Sequence, residues 1–195
     1  MRRLLLKISA LVSPVLGKIH APYTRKKLKA KDYRECKSLM KNGMILLTST
    51  RGELTTLFIP GQFSHVAMIV NQNTVIEATG EGVHTTDLID FILSRDYAVL
   101  LKPIWLNEAE LDQASKIALQ FEGFKYDYYF SASTEQFYCS ELAYMAFKEV
   151  NPESPIELRN RLGQDTFIPQ DFWEAKGKFE VVWMSESLKE KNLSR

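Results

Sequence analysis

The sequence predicts one domain that mixes helices with antiparallel strands. Three observations point there. The run Ser64-His65-Val66-Ala67-Met68-Ile69-Val70 is followed by the turn Asn71-Gln72-Asn73 and a return run from Thr74 to Ala78, the pattern of a β-hairpin. Two stretches, one opening at Asn107 and one at Cys139, carry apolar residues near helical spacing. The chain has 195 residues and 45% hydrophobic content, enough for one ordinary core.

In chain order, Leu4, Ile8, Leu11, Val12, Val15, Leu16 and Ile19 form one helical stripe, broken or restarted at Ser13-Pro14. A signal peptide, a basic amphipathic helix lying on an anionic membrane, and a helix packed across the domain all fit this stripe. The first two would place the protein at the cell envelope or a membrane. Tyr23 to Lys31 reads as a basic linker, so residues 1–31 form an N-terminal segment, 32–184 the domain and 185–195 a polar, frayed tail. Asp32 to Lys41 predicts a helix ending near Asn42-Gly43, and Met44 to Ser49 an apolar strand. Residues 50–63 predict a loop with a helical turn at Leu54 to Phe58. After the hairpin, Val83 to Thr85 predicts a short strand, and Thr86 or Asp87 caps a helix through Leu93. Tyr97 to Ile104 is another apolar strand. Asn107 with Glu110 three places on is a capping-box start for a helix to about Phe121. Gly123 to Phe137 is an aromatic-rich loop, and the Cys139 helix stops before Asn151-Pro152. Residues 152–168 read as irregular, Pro169 to Ala175 as a short helix and Phe179 to Met184 as the last strand.

The net charge of +1 hides an asymmetry. Residues 1–31 hold nine of the 25 basic residues and no acidic one, which leaves 16 basic against 24 acidic residues, a net of −8, for the rest. An acidic globular part argues against nucleic acid as a partner. No apolar run reaches about 18 residues, so no spanning helix is expected. Cys36 and Cys139 make no disulfide framework, no Cys/His cluster has metal-ligand spacing, and no metal or other cofactor is expected.

Cys139 stands where a loop becomes a helix. There the unpaired backbone N–H groups and the positive end of the helix dipole favour a thiolate, the nucleophilic form. A buried, inert cysteine is the plain alternative, and Cys36 reads as such. A thiol nucleophile needs a base, and histidine suits it. Of the three histidines, His20 lies in the basic segment and His84 in or beside a glycine-flanked loop, whereas His65 opens a strand that would aim its ring. The base needs an orienting acceptor. If Asn71 to Asn73 form a three-residue loop, Val70 faces Thr74 and Ala67 faces Glu77, so Glu77 lies diagonal to His65 on one sheet face, about 7–8 Å away along the backbone. A register one residue off would separate them.

The elements Phe63-Ser64-His65-Val66, Val75-Ile76-Glu77-Ala78, Gly82-Val83 with Thr85 and Thr86, Tyr126-Asp127, and Phe137-Tyr138-Cys139-Ser140-Glu141-Leu142 together resemble the circularly permuted papain-like amidases of the NlpC-like superfamily, most closely the YiiX/YaeF-like branch. The order His, Glu, Cys reverses that of papain. The resemblance spans about residues 43 to 175. It implies an α+β, circularly permuted papain-like fold in which an antiparallel sheet packs against the helix carrying the nucleophilic cysteine. By the same resemblance Cys139 is the nucleophile, His65 the base and Glu77 its orienter. Tyr126 and Tyr138 are oxyanion or substrate candidates, and Asp127 and Glu141 are structural motif positions. The implied activity is a cysteine hydrolase acting on cell-wall peptides or other small peptide or amide substrates.

Two alternatives differ in class. Related permuted proteins similar to lecithin:retinol acyltransferases act on lipids, which the basic segment 1–31 would suit through peripheral membrane contact. A non-catalytic binding module would keep the pocket without the chemistry. For the membrane reading, full-length protein should co-sediment with anionic liposomes in a salt-sensitive way and a chain lacking residues 1–31 should not. Equal, salt-insensitive partitioning of the two would remove the motive for it.

Overall fold

The structure is a computed structural model that describes residues 27–50, 61–128, 136–161, 164–175 and 177–193. The N-terminal stripe up to Lys26, His20 and the helical turn expected at Leu54 to Phe58 lie outside the described residues.

Apolar and β-branched runs build the strands. These are β1 (Ile45–Ser49), β2 (His65–Asn71), β3 (Thr74–Thr79), β4 (Gly82–Asp87), β5 (Tyr97–Pro103) and β10 (Phe179–Met184), joined in one antiparallel sheet of order β10-β5-β1-β2-β3-β4. Two small pairs complete the strands. β6 (Lys125–Tyr126) lies parallel to β7 (Gln136–Phe137), and β8 (Arg159–Arg161) antiparallel to β9 (Gln164–Thr166). The helices are α1 (Ala30–Leu39), α2 (Leu88–Leu93), α3 (Glu108–Gln120), α4 (Cys139–Val150), α5 (Pro169–Glu174) and α6 (Glu186–Leu193). This is the α+β arrangement, a large antiparallel sheet with helices.

Both faces of the sheet are covered. Val66, Met68 and Ile76 face a core shared with Leu111 and Ala114 of α3 and Leu142, Ala143 and Phe147 of α4. Ala67, Ile69 and Val75 face a second core with Cys36 of α1, Met40 at its C-cap and Phe91 of α2. Antiparallel sheets commonly leave one face to water. Here neither face is, so β1, β2 and β5 are buried along nearly their whole length and read as unbroken apolar runs.

The register through β2 and β3 is the one the turn implied where it matters, since Ala67 pairs with Glu77. The tip differs. Asn71, not Val70, pairs with Thr74, and a bulge between Ile69 and Asn71 absorbs the extra residue. β4 is longer than expected, and it is Asp87 that caps α2, accepting from the Ile89 N–H at 2.9 Å. Asn107 and Glu110 form the expected capping box of α3. Gly82, at φ 103°, lets the β3–β4 turn approach the loop after α3 closely, and an added Cβ would lie 2.6 Å from the Phe124 carbonyl oxygen.

Three expectations are corrected. The supposed loop 123–137 and the supposedly irregular 152–168 each contain a short strand pair, β6–β7 and β8–β9. The second of these is held by ion pairs of Arg159 and Arg161 with the buried Asp171 of α5. The tail from Ser185 is a docked helix, not a frayed end. The Ser185 N–H donates to Ala98 O at 3.0 Å, the Ser185 hydroxyl accepts from the Ala98 N–H at 3.2 Å, and Leu188 is fully buried. A single leucine in a polar stretch leaves no periodic signal in the sequence. Replacing it should tell docking from fraying. Leu188→Ala is expected to cost about 2–4 kcal/mol in urea unfolding, while Leu193→Ala, at a position 87% exposed, should leave the midpoint unchanged.

Candidate active site

Glu77 is a carboxylate with only 4% of its surface exposed. An unpaired charge so placed would cost several kcal/mol, so its partners decide its state. His65 Nε2 lies 2.7 Å from Oε2, Arg95 Nη2 donates to the same oxygen at 3.1 Å, and the Thr86 hydroxyl donates to Oε1 at 2.7 Å. His84 stands directly opposite on β4 but reaches only to 3.9 Å of Oε1, and its Nδ1 lies 3.1 Å from Gly82 O. These partners come from β2, β4 and the turn after α2, so sheet register assembles the cluster. Burial by itself would raise the Glu77 pKa. The hydrogen bond and charge of His65, the Arg95 cation and the Thr86 hydroxyl outweigh it and hold the value down at about 2.

With Nε2 given to Glu77, Nδ1 of His65 is the nitrogen left for the sulfur of Cys139, and each of the two side chains favours the charged form of the other. Burial favours a neutral imidazole. The bonds to Cys139 and Glu77 overcome burial and push the His65 pKa up to about 9. Cys139 is the first residue of α4, behind the N-cap residue Tyr138, and is 5% exposed. Burial would raise its pKa, but the His65 hydrogen bond and charge, the Val66 N–H and the Ser140 hydroxyl, 3.8 Å away, bring it below the ordinary thiol value. The arrangement therefore favours a thiolate beside an imidazolium, and the thiolate is the form that attacks carbonyl carbon.

The structure thus brings together Cys139, His65 and Glu77. Tyr126 pairs with Phe137 across β6–β7, just ahead of the cysteine. Burial, followed by the nearby Cys139 thiolate, raises its pKa, so its hydroxyl stays protonated and able to donate. Tyr138 is placed differently from the expectation. Its ring is 4% exposed and its hydroxyl accepts from the Phe167 N–H at 3.2 Å, so it anchors the start of α4 to the segment before α5 instead of facing a substrate. Glu141 takes the Tyr138 N–H with one oxygen, while burial and the neighbouring Asp127 push its pKa up to about 8. Asp127 is fully buried, and its N–H donates to Phe137 O. Both fit the structural role expected of them. Thr86 carries a sequence signal, being two residues from His84 and so on the same face of β4. Arg95 carries none, because only the fold brings the end of α2 to Glu77.

Comparison with known proteins decides the family. A family model described as permuted papain-like amidase enzyme, YaeF/YiiX, C92 family, matches residues 39–193. The chain belongs to the YaeF/YiiX family of permuted papain-like amidases. It is accordingly an enzyme of the cysteine amidase/peptidase type, acting on peptide or amide substrates, and the non-catalytic binding alternative falls away. Among solved structures, metalloprotein yiiX from Escherichia coli O157:H7 is similar, at 21% identity and a TM-score of 0.63, over 75% of this chain and 98% of that one. That likeness supports the permuted papain-like fold. No curated protein matches. The metal named for the yiiX protein finds no matching donor set here. Among the described residues no three His, Cys, Asp or Glu side chains are grouped to hold one, and the Arg95 cation already occupies the Glu77 oxygen that His65 uses.

For this YaeF/YiiX-family amidase the Cys139–His65 pair predicts a pH window. Below the lowered Cys139 pKa the sulfur is protonated, and above about pH 9 the imidazolium is lost. So kcat/KM should rise as Cys139 ionises and fall along an alkaline limb centred near 9. Glu77→Gln removes the anion that favours imidazolium and should move that limb downward by about one pH unit or more. An alkaline limb indifferent to this substitution would break the link between Glu77 and the imidazole.

Proposed function

We propose that the chain hydrolyses an amide bond in a small peptide, such as a cell-wall peptide, through a thioester acyl-enzyme on Cys139. One observation carries this reading: an imidazole 2.7 Å from a buried carboxylate raises the ionisation of the thiol at a helix start. The Cys139 thiolate attacks the carbonyl carbon, and charge moves onto the oxygen. The Cys139 N–H, at the first helical position where the helix itself offers no partner, and the Tyr126 hydroxyl are the donors suited to that oxyanion. The C–N bond then breaks while the His65 imidazolium gives its proton to the departing amine. His65, now neutral, takes a proton from water as its oxygen attacks the thioester carbon; the C–S bond breaks, the acid leaves, and the Cys139 thiolate is restored beside the imidazolium. Glu77 keeps the ring oriented throughout and stabilises its charged form.

The lipid-directed alternative draws on the basic segment 1–31, most of which lies outside the described residues. The described site favours neither acyl class by charge, so substrate is assigned by experiment. Incubation with peptidoglycan fragments, N-acyl amino acids and phospholipids, read by mass spectrometry, should show amide cleavage with a transient acyl adduct on Cys139. Cys139→Ala should lower turnover by at least about 10³-fold, and Tyr126→Phe by about 10- to 100-fold if its hydroxyl donates to the oxyanion. Turnover surviving in Cys139→Ala, or an adduct on another residue, would end this reading.

A further inference from the structure

Glu77 is held by more than a base requires, and the excess partner is Arg95. Its guanidinium donates to Oε2 at 3.1 Å, the same oxygen that lies 2.7 Å from His65 Nε2. It is also fixed in place independently of that bond. Arg95 directly follows Ser94, the C-cap of α2, and its N–H donates to Ile92 O at 3.1 Å. Its carbonyl accepts from the Leu28 N–H at 3.3 Å, and its side chain is 13% exposed. The guanidinium carbon lies 4.6 Å from the centroid of Phe91, a ring that also stands 6.0 Å from the His65 ring. One buried phenyl ring therefore seats both cations against one carboxylate oxygen. Arg95 Nε has no hydrogen-bond partner among the described residues, so Glu77 takes the one ion pair recorded for this buried charge.

We propose that Arg95 is a positioning residue for the reaction: by sharing Glu77 Oε2 with His65 it keeps the carboxylate ionised and limits how firmly the imidazolium retains the proton that the leaving amine must receive. The inference rests on the roles proposed above for Cys139, His65 and Glu77. Its physical basis is competition. A carboxylate satisfied by His65 alone, in a dry site, would bind the charged imidazole too strongly for easy proton release. A second fixed cation divides the attraction and repels the imidazolium directly, and the Arg95 charge does lower the proton affinity of His65. The other titratable groups around His65 are Cys139 from α4, Glu77 from β3 and, across the carboxylate, His84 from β4, with Tyr126 from β6 beside Cys139.

The test is an NMR titration of the His65 imidazole in the full chain labelled with ¹³C-histidine. Arg95→Gln should raise the midpoint by about half a pH unit or more, and Arg95→Lys, which keeps the charge, should restore it most of the way. Phe91→Leu, which unseats the guanidinium without removing it, should shift the midpoint in the same direction by less, and it decides alone if Arg95→Gln does not fold. A midpoint unmoved in the variants that fold, or moved downward, overturns the proposal. Iodoacetamide labelling of the native chain tests the underlying site separately. Failure to label Cys139 sinks the catalytic assignment, whatever His65 does, whereas labelling with an unmoved His65 midpoint sinks only the role of Arg95.

Discussion

A buried carboxylate in the middle of β3 is the constraint on which the site depends. Glu77 is charged in a place where charge is expensive, and it stays charged because three donors from three elements close on it: His65, Arg95 and Thr86. Hydrogen bonds to an ionised acceptor are roughly twice as strong as neutral ones, and here they offset a desolvation cost of several kcal/mol. The converse also holds. A one-residue slip of β3 against β2 would turn Glu77 to the other face, into the core of Val66, Met68 and Ile76. The chemistry therefore constrains strand register as strongly as the hydrophobic pattern does. The bulge near Val70 is where the hairpin accommodates its turn without disturbing that register.

The sulfur is positioned by different means. Eight of the first nine residues of α4 are buried, which pins the helix between α3 and the sheet. Its first residue then meets the start of β2, where the Val66 N–H and the His65 ring both reach the thiolate. Two effects favour ionisation, and they are unequal. A helix N-terminus contributes about 0.3–1 kcal/mol, too little to overcome burial of the sulfur. The imidazolium, in hydrogen-bonding contact and in a dry site, is the larger effect. Cys36 is the internal control. It is a buried cysteine inside α1 with no cationic partner, and burial pushes its pKa up to about 12. Burial alone makes an inert thiol, and the pairing of Cys139 with His65 makes a different one.

The hairpin, the capping-box helix and the helix carrying Cys139 were legible in the sequence because each is specified by neighbours in the chain. The diagonal placement of His65 and Glu77 was legible too, although the turn reaches it differently: Asn71 pairs with Thr74, and the bulge between Ile69 and Asn71 restores the parity that puts Ala67 opposite Glu77. The sheet order was not legible. Nothing in Tyr97 to Pro103 says that this strand lies between β1 and β10, and nothing local brings Arg95 to Glu77. Short parallel pairing such as β6–β7 left no trace because two residues carry no period. Tyr138, a substrate candidate by resemblance, has its hydroxyl taken up by the Phe167 N–H and its ring 4% exposed. At a helix start, successive side chains point about 100° apart, and this one points into the body of the protein.

The same geometry shows why chain order is free to reverse. The bonds that decide the chemistry cross between elements: His65, Arg95 and Thr86 reach Glu77 from other elements, and of the groups around the Cys139 sulfur the Ser140 hydroxyl comes from its own helix. A sheet that precedes its helix can therefore present the same imidazole as one that follows it, provided the strand ends at the helix N-terminus. What cannot be exchanged is which histidine occupies that end. His84 touches the same carboxylate, but its side chain is 36% exposed against 14% for His65, it sits 3.9 Å from the oxygen, and its Nδ1 is turned to Gly82 O. Water screens its charge and weakens its pairing with Glu77. Of two imidazoles facing one anion, the dry one at the strand end lies 2.7 Å from the carboxylate and is the one among the described residues that acts on the sulfur.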